Sequence, residues 1–152
     1  MQTLKKYTKE AFMAITSLGT VFFYTIIFLF FIKEFTIAKH IAIGLILCYL
    51  FVFVLRIFYF KERPEKEEYY NLFTRINASS FPSLHAMSSI YVAIVLANHI
   101  KKSIISIFLV SISLLIAYSR IYLKKHYFVD IMLGLILGII ASIIYLLIIN
   151  FS

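Results

Sequence analysis

Five apolar runs alternate with short polar segments along the chain. Residues 11–32 carry no charge over 22 positions. As a helix they would span about 33 Å, enough to cross a bilayer. The run is too long for a signal-peptide core and shows no clear small-residue cleavage site, so it is read as a retained helix. Residues 33–40 predict a polar turn. A second span covers about 41–60, interrupted only by Arg56 near its end. Residues 61–76 form the one strongly polar loop, with mixed charges and tyrosines that suit a membrane interface. Pro82 marks a helix start, which puts a third span at about 83–99. Lys101 and Lys102 form a tight turn before a fourth span at 103–119. Residues 120–125 are basic, and a fifth span runs over about 127–150, free of charge after Asp130.

The predicted fold is therefore all-α: an integral membrane helical bundle of about five transmembrane helices in one domain, 1–152. Composition agrees. The chain is 62% hydrophobic with a mean hydropathy of +0.96, more apolar sequence than a soluble domain of this length needs. Its net charge of +8 fits anchoring to anionic headgroups. No polar domain exists to carry a nucleic-acid surface. The one cysteine, Cys48, lies in an apolar run and is read as packing, and no Cys/His spacing points to a metal. Gly134 and Gly138, continued by Ser142, form a small-xxx-small series that predicts close helix packing, as do Gly19 and Gly44.

Alternation of sides across five spans brings residues 1–10, 61–82 and 120–127 to one membrane face. Residues 33–40 and 100–102 share the other, with His40 and His99. Three polar clusters meet on the first face. Arg56 and Arg63 are seven residues apart, about two helical turns, and so point the same way; snorkelling interfacial arginines would give the same pattern. Pro82-Ser83-Leu84-His85 opens a helix whose free N–H groups and positive dipole end suit an anion; an ordinary N-cap serine and an interfacial histidine is the alternative. Ser119-Arg120 is followed by His126 and Asp130. If the last helix begins near His126, these two share a face, one turn apart. Asp130 would then hold the His126 tautomer, leaving the other ring nitrogen free to attack. Ionisable groups at a membrane edge are costly, which favours a task over coincidence.

Together these residues describe metal-free phosphoryl transfer. His126 attacks phosphorus. Arg56, Arg63, Arg120, the Ser83 hydroxyl and the amides near Leu84 neutralise the equatorial oxygens, and His85 protonates the leaving oxygen and then activates water. Metal phosphoesterases bring several carboxylates to the ion. Here only Asp130 lies within the apolar part, and Glu62, Glu65, Glu67 and Glu68 read as loop charges.

The order and spacing Arg56-x6-Arg63-Pro64, Pro82-Ser83-Leu84-His85 and Ser119-Arg120-x5-His126-x3-Asp130 resembles the type 2 phosphatidic acid phosphatases, which share a site with vanadium haloperoxidases. Their pattern is K-x6-R-P, P-S-G-H and S-R-x5-H-x3-D. Arg56 stands where the family has Lys, a fork of donors for a point charge, and Leu84 stands where it has Gly. The resemblance covers roughly residues 41–150. It implies His126 as nucleophile, Asp130 as its orienter, His85 as acid and base, no cofactor and a lipid phosphate substrate. The family is described with six spans; this chain has room for five.

The small size and lack of a soluble domain are similar to the bacitracin-resistance type of undecaprenyl pyrophosphate phosphatase. That implies a polyprenyl pyrophosphate cleaved to the monophosphate at the cell membrane; phosphatidate or phosphatidylglycerophosphate is the alternative. Orientation divides two lines of argument. The site face carries eleven Lys and Arg against four on the other, or eight against four without the three site arginines. This bias favours a cytoplasmic site, whereas the carrier-recycling resemblance implies an external one. Two other classes remain open: a non-catalytic lipid-phosphate binder, against which the intact His85, His126 and Asp130 argue, and a vanadate-dependent haloperoxidase, against which the lack of a soluble body argues.

Overall fold

A computed structural model describes residues 2–150. It contains seven α-helices and no strand among the described residues. Three are long and apolar enough to cross a membrane: α3 (Phe35–Phe58), α6 (Ser103–Tyr122) and α7 (Phe128–Asn150). A fourth span is available if α1 (Gln2–Ser17) and α2 (Val21–Phe30) form one bent crossing. The remaining apolar helix, α5 (Leu84–Ile100), has 17 residues, near the lower limit for a span. The short α4 (Leu72–Ala78) lies in the polar loop.

The bundle is arranged around α5, which packs against α3, α6 and α7. Ten of its residues are buried, among them Ala86, Ser88, Ser89 and Ala93, whose small side chains admit neighbours closely. Outward-facing residues are apolar instead of polar: Ile46, Leu47 and Leu50 on α3, Ile107 and Phe108 on α6, and Ile140, Ile144 and Leu147 on α7 are exposed. A helix bundle with an apolar exterior is suited to lipid, not water.

The small residues of α7 do what their spacing predicts. A β-carbon at Gly134 would lie 2.6 Å from the Ser83 carbonyl oxygen, and one at Gly138 would lie 2.4 Å from that of Met87. Both clashes are with backbone, so the α5–α7 approach requires glycine at these positions. The ring of Tyr91 fills the space beside Gly44.

Three boundaries differ from the sequence expectation. The first apolar run is not one helix: it breaks at residues 18–20, with a bend of 50° between α1 and α2. Gly19 lies in this break, against Ile116 and the His85 ring. Residues 33–40 are not all turn, because α3 starts at Phe35 and takes in Lys39 and His40. Polar residues are tolerated there because they sit at the helix end, where heads reach the interface. The polar loop contains α4, capped by reciprocal bonds between Asn71 and Thr74. The expected pairing of loops is present. At one end Glu34 meets His99 at 2.8 Å; at the other, residues 61–83 meet 120–130.

Candidate active site

The polar end is assembled largely by backbone bonds. α6 ends in a Schellman turn: Lys125 N–H donates to Arg120 O and Lys124 N–H to Ile121 O, each at 2.9 Å. Lys124 takes the left-handed conformation that this turn needs, with φ 54°. The Arg120 carbonyl also accepts from His126 N at 3.3 Å. The turn therefore fixes where the imidazole leaves the chain. α7 starts after His126, at Phe128, so His126 is a turn residue and not part of the helix.

His126 is 3% exposed. Its Nδ1 lies 2.5 Å from the carbonyl oxygen of Ser80. A carbonyl only accepts, so Nδ1 carries the proton and Nε2 keeps its lone pair. Burial first, then the charges of Arg120 and Arg63, push the His126 imidazole down to about 2. The ring is neutral across the physiological range.

Asp130 has other hydrogen-bond partners in the structure than the expected one. Its carboxylate makes no hydrogen bond to His126 among the described bonds. Oδ1 accepts from Lys61 Nζ at 2.6 Å and Oδ2 from the Tyr127 amide at 3.0 Å. The physical reason is the position of the helix start. Asp130 is the third residue of α7, and from there a carboxylate reaches back to the amide of the residue before the helix and meets the positive end of the dipole. Fully buried, it also needs a counter-charge, which Lys61 supplies.

Arg56 has backbone partners. It is 7% exposed. Nε donates to Phe81 O, one terminal nitrogen to Ile76 O and the other to Pro82 O, at 3.3, 3.4 and 2.8 Å. Three of its five N–H groups thus hold the segment that leads into α5, where Pro82 follows a cis peptide. The guanidinium spreads its donors over three nitrogens, each of which meets a different carbonyl.

Arg63 and Arg120 are different. Arg63 donates to Asn77 O at 2.6 Å and pairs with Glu67 at 2.5 Å. Arg120 donates to Thr16 Oγ1 of α1 at 3.0 Å. In both, Nε is buried and has no hydrogen-bond partner. Two buried guanidinium donors without acceptors are costly unless a ligand completes them. Arg56, Arg63 and Arg120 all lie within electrostatic range of both His126 and His85.

Ser83 caps α5, its Oγ accepting from Ala86 N at 3.4 Å. Its own N–H donates to the Asp130 carbonyl at 3.1 Å, which ties α5 to α7. The amides of Leu84 and His85, first in the helix, have no acceptor among the described bonds. They are the free donors of a helix N-terminus. The Leu84 side chain, with Tyr49, Leu50, Phe53, Arg56 and Phe73, lines an apolar groove of about 410 Å³ that reaches this end of the bundle.

Sequence reasoning missed Ser80, Thr16 and Lys61. Ser80 acts through its carbonyl, which no side chain announces. Thr16 needs the α1–α6 packing to be known. Lys61 was visible only as one more loop charge.

The arrangement is an electropositive cluster: two imidazoles, two unpartnered guanidinium N–H groups and a free helix N-terminus. It can bind a tetrahedral anion and present a neutral ring nitrogen to it. The fold is shared with known proteins. The chain resembles Aquifex aeolicus LpxE, with a TM-score of 0.78 and 29% identity over 92% of this chain and 86% of that one. A transmembrane PAP2-type phosphatidylglycerolphosphate phosphatase from Bacillus subtilis gives a TM-score of 0.75 at 22% identity, over 91% of this chain and 75% of that one. The latter likeness is one of fold. No curated protein matches the sequence. The PAP2 superfamily profile matches residues 37–152, which takes in all three clusters, and the chain belongs to that superfamily.

Proposed function

We propose that this PAP2 membrane phosphatase removes the terminal phosphate of a polyprenyl pyrophosphate, giving the monophosphate, through a phosphohistidine on His126. The observation that carries this reading is the pair of buried, unpartnered Nε–H groups on Arg63 and Arg120, beside an imidazole whose Nδ1–H is already engaged by Ser80. Donors poised for charge that arrives only with the substrate and its transition state are the main resource of phosphoryl transfer.

His126 Nε2 attacks phosphorus as the bond to the leaving phosphate oxygen breaks. Arg63, Arg120, the Ser83 hydroxyl and the Leu84 and His85 amides take up the charge on the equatorial oxygens. The substrate's own negative charge lets His85 carry a proton in this positive cluster, and His85 gives it to the leaving oxygen. It then accepts a proton from the water that displaces His126 and releases inorganic phosphate. Arg56 and Asp130 act by holding the frame. Both Asp130 oxygens are engaged by Lys61 and the Tyr127 amide, which supports a mechanism without a metal. The apolar groove at Arg56 and Leu84 gives a polyprenyl tail a place to lie beside the site.

Phosphate release in detergent micelles with EDTA tests the reading, with a long polyprenyl pyrophosphate, phosphatidate and phosphatidylglycerophosphate side by side. The expected result is EDTA-resistant release, fastest from the pyrophosphate and lost in H126A. Release that EDTA abolishes would refute the metal-free mechanism. Faster release from either diacyl lipid would refute the substrate, and binding without release by folded protein would make the chain a lipid-phosphate binder.

A further inference from the structure

Glu67 turns from the polar loop toward the candidate site. Its Oε1 lies 2.5 Å from Arg63 Nη1 and 3.0 Å from Lys125 Nζ, so two cations converge on a single oxygen. Its charge is also within electrostatic range of Arg56 and Arg120. Burial alone would raise the Glu67 carboxyl, but the Lys125 bond and the Arg63 charge outweigh it and hold the group below the ordinary carboxylate value. The side chain is thus an anion held among the cations of the phosphate site. Anchoring the loop does not require it. Glu65 N–H already donates to Lys124 O at 3.1 Å, and Glu65 Oε2 lies 3.7 Å from Lys125 Nζ. The two cations differ in place. Arg63 belongs to the site itself: its Nε is buried without a partner, and its charge reaches His126 and His85. Its Nη1 is a separate donor of the same fork. Lys125 precedes His126 in the chain, at a position the PAP2 pattern leaves open.

We propose that Arg63 Nη1 and Lys125 form a second anion subsite beside the one at His126, which takes the phosphate that stays on the lipid, and that Glu67 tunes this subsite by competing for the same two cations. The proposal rests on the pyrophosphate reading above. When His126 takes the terminal phosphoryl group, the bond from phosphorus to the bridging oxygen breaks. Its electron pair stays on the lipid-bound phosphate. Arg63 and Lys125 meet that charge while His85 supplies the proton. A lipid with one phosphate has no group for the subsite, so the pair discriminates between the two substrate classes. Glu67 is exchangeable because it is 34% exposed and brings one negative charge where a phosphate can bring more. A cavity of about 180 Å³, lined in part by Arg63, Glu67 and Tyr69, gives the displaced side chain room.

The test is calorimetry on purified full-length protein in detergent at low salt, where charge pairs are least screened. The probes are inorganic phosphate and methylenebisphosphonate, a pyrophosphate analogue whose P–C–P bridge cannot be hydrolysed. Wild type should prefer the bisphosphonate. A charged hydrogen bond in a partly exposed setting is worth about tenfold in affinity. K125M should lose about that much for the bisphosphonate, with phosphate changed far less, and K125R should keep most of the preference. E67Q should bind the bisphosphonate more tightly, by up to about tenfold. The opposite signs separate a subsite from a structural tether, because breaking one ion pair from either side would shift both variants the same way. No preference in wild type would overturn the proposal, as would bisphosphonate affinity that falls in E67Q as it does in K125M. Should wild type release no phosphate from the polyprenyl pyrophosphate while the opposing shifts hold, the substrate reading fails and the subsite stands. Release without the opposing shifts refutes the subsite alone.

Discussion

The Nδ1–H of His126 is held by the carbonyl of Ser80 at 2.5 Å, across 46 residues of sequence, and not by the carboxylate four residues away. A neutral acceptor fixes the tautomer without raising the basicity of the ring as a carboxylate would. Burial and the nearby arginines, acting against a smaller upward pull from the Ser80 bond, keep Nε2 unprotonated at pH 6.5, where an ordinary histidine would be half charged.

That environment has a consequence for stability. The His126 imidazole is held at about 2 in the folded chain, against an ordinary 6.5. Between those values the unfolded chain binds a proton that the folded chain refuses. The unfolded state therefore gains as pH falls, by at most about 1.4 kcal/mol per unit from this group. Its penalty is absent above pH 6.5 and grows below it. Thermal melting in detergent from pH 7 to pH 4 should show wild type losing stability more steeply than H126N, whose amide can still donate to Ser80. Equal slopes would contradict the burial.

Arg56 stands where the family pattern has lysine, and restoring lysine should harm the protein. The carbonyls of Ile76, Phe81 and Pro82 are met by three separate nitrogens, which a lysine would have to replace with one. Each buried acceptor left alone costs about 1–3 kcal/mol. R56K should melt at lower temperature than wild type, and its residual activity at low temperature should fall less than its stability suggests. An R56K protein as stable as wild type would mean that the three bonds contribute little.

Arg63 and Arg120 should behave in the opposite way. Their free Nε–H groups await charge, and removing one such donor costs about 10²–10³ in kcat. R63K and R120K should lose activity on that scale while melting within a few degrees of wild type. T16V, which removes only the Arg120 support from α1, should lose no more than about tenfold. Steady-state kinetics set against melting curves separates the two classes of arginine.

The spans were legible because charge-free runs of about twenty residues leave a chain few choices in lipid. The meeting of the 61–82 and 120–127 segments followed from counting them. The break at residues 18–20 was not legible, since Gly19 is its one local mark and its reason is tertiary: the backbone must pass close to His85 and Ile116. The cap of α4 was legible and overlooked, because Asn71 and Thr74 stand at capping spacing ahead of Ile76 and Ala78. His126, His85, Arg63 and Arg120 could be picked out as side chains with chemistry. Their hydrogen-bond partners could not, because Ser80, Ile76, Phe81 and Pro82 take part through carbonyls that every residue has. The partners of Asp130 were hidden for a related reason. The four-residue spacing to His126 implies a shared helix face only if both residues are helical, and the Schellman turn after Arg120 keeps His126 out of α7.

The most direct test of the central claim is to trap the intermediate. A phosphate ester with a good leaving group, such as para-nitrophenyl phosphate carrying labelled phosphate, needs no acid to depart. Its reaction with H85A should therefore load His126 and then stall for want of a base to activate water. After an alkaline quench, the account predicts label on the peptide containing His126, stable to base, lost in acid and absent from H126A. Turnover that continues in H126A, with no labelled histidine in either wild type or H85A, would contradict it.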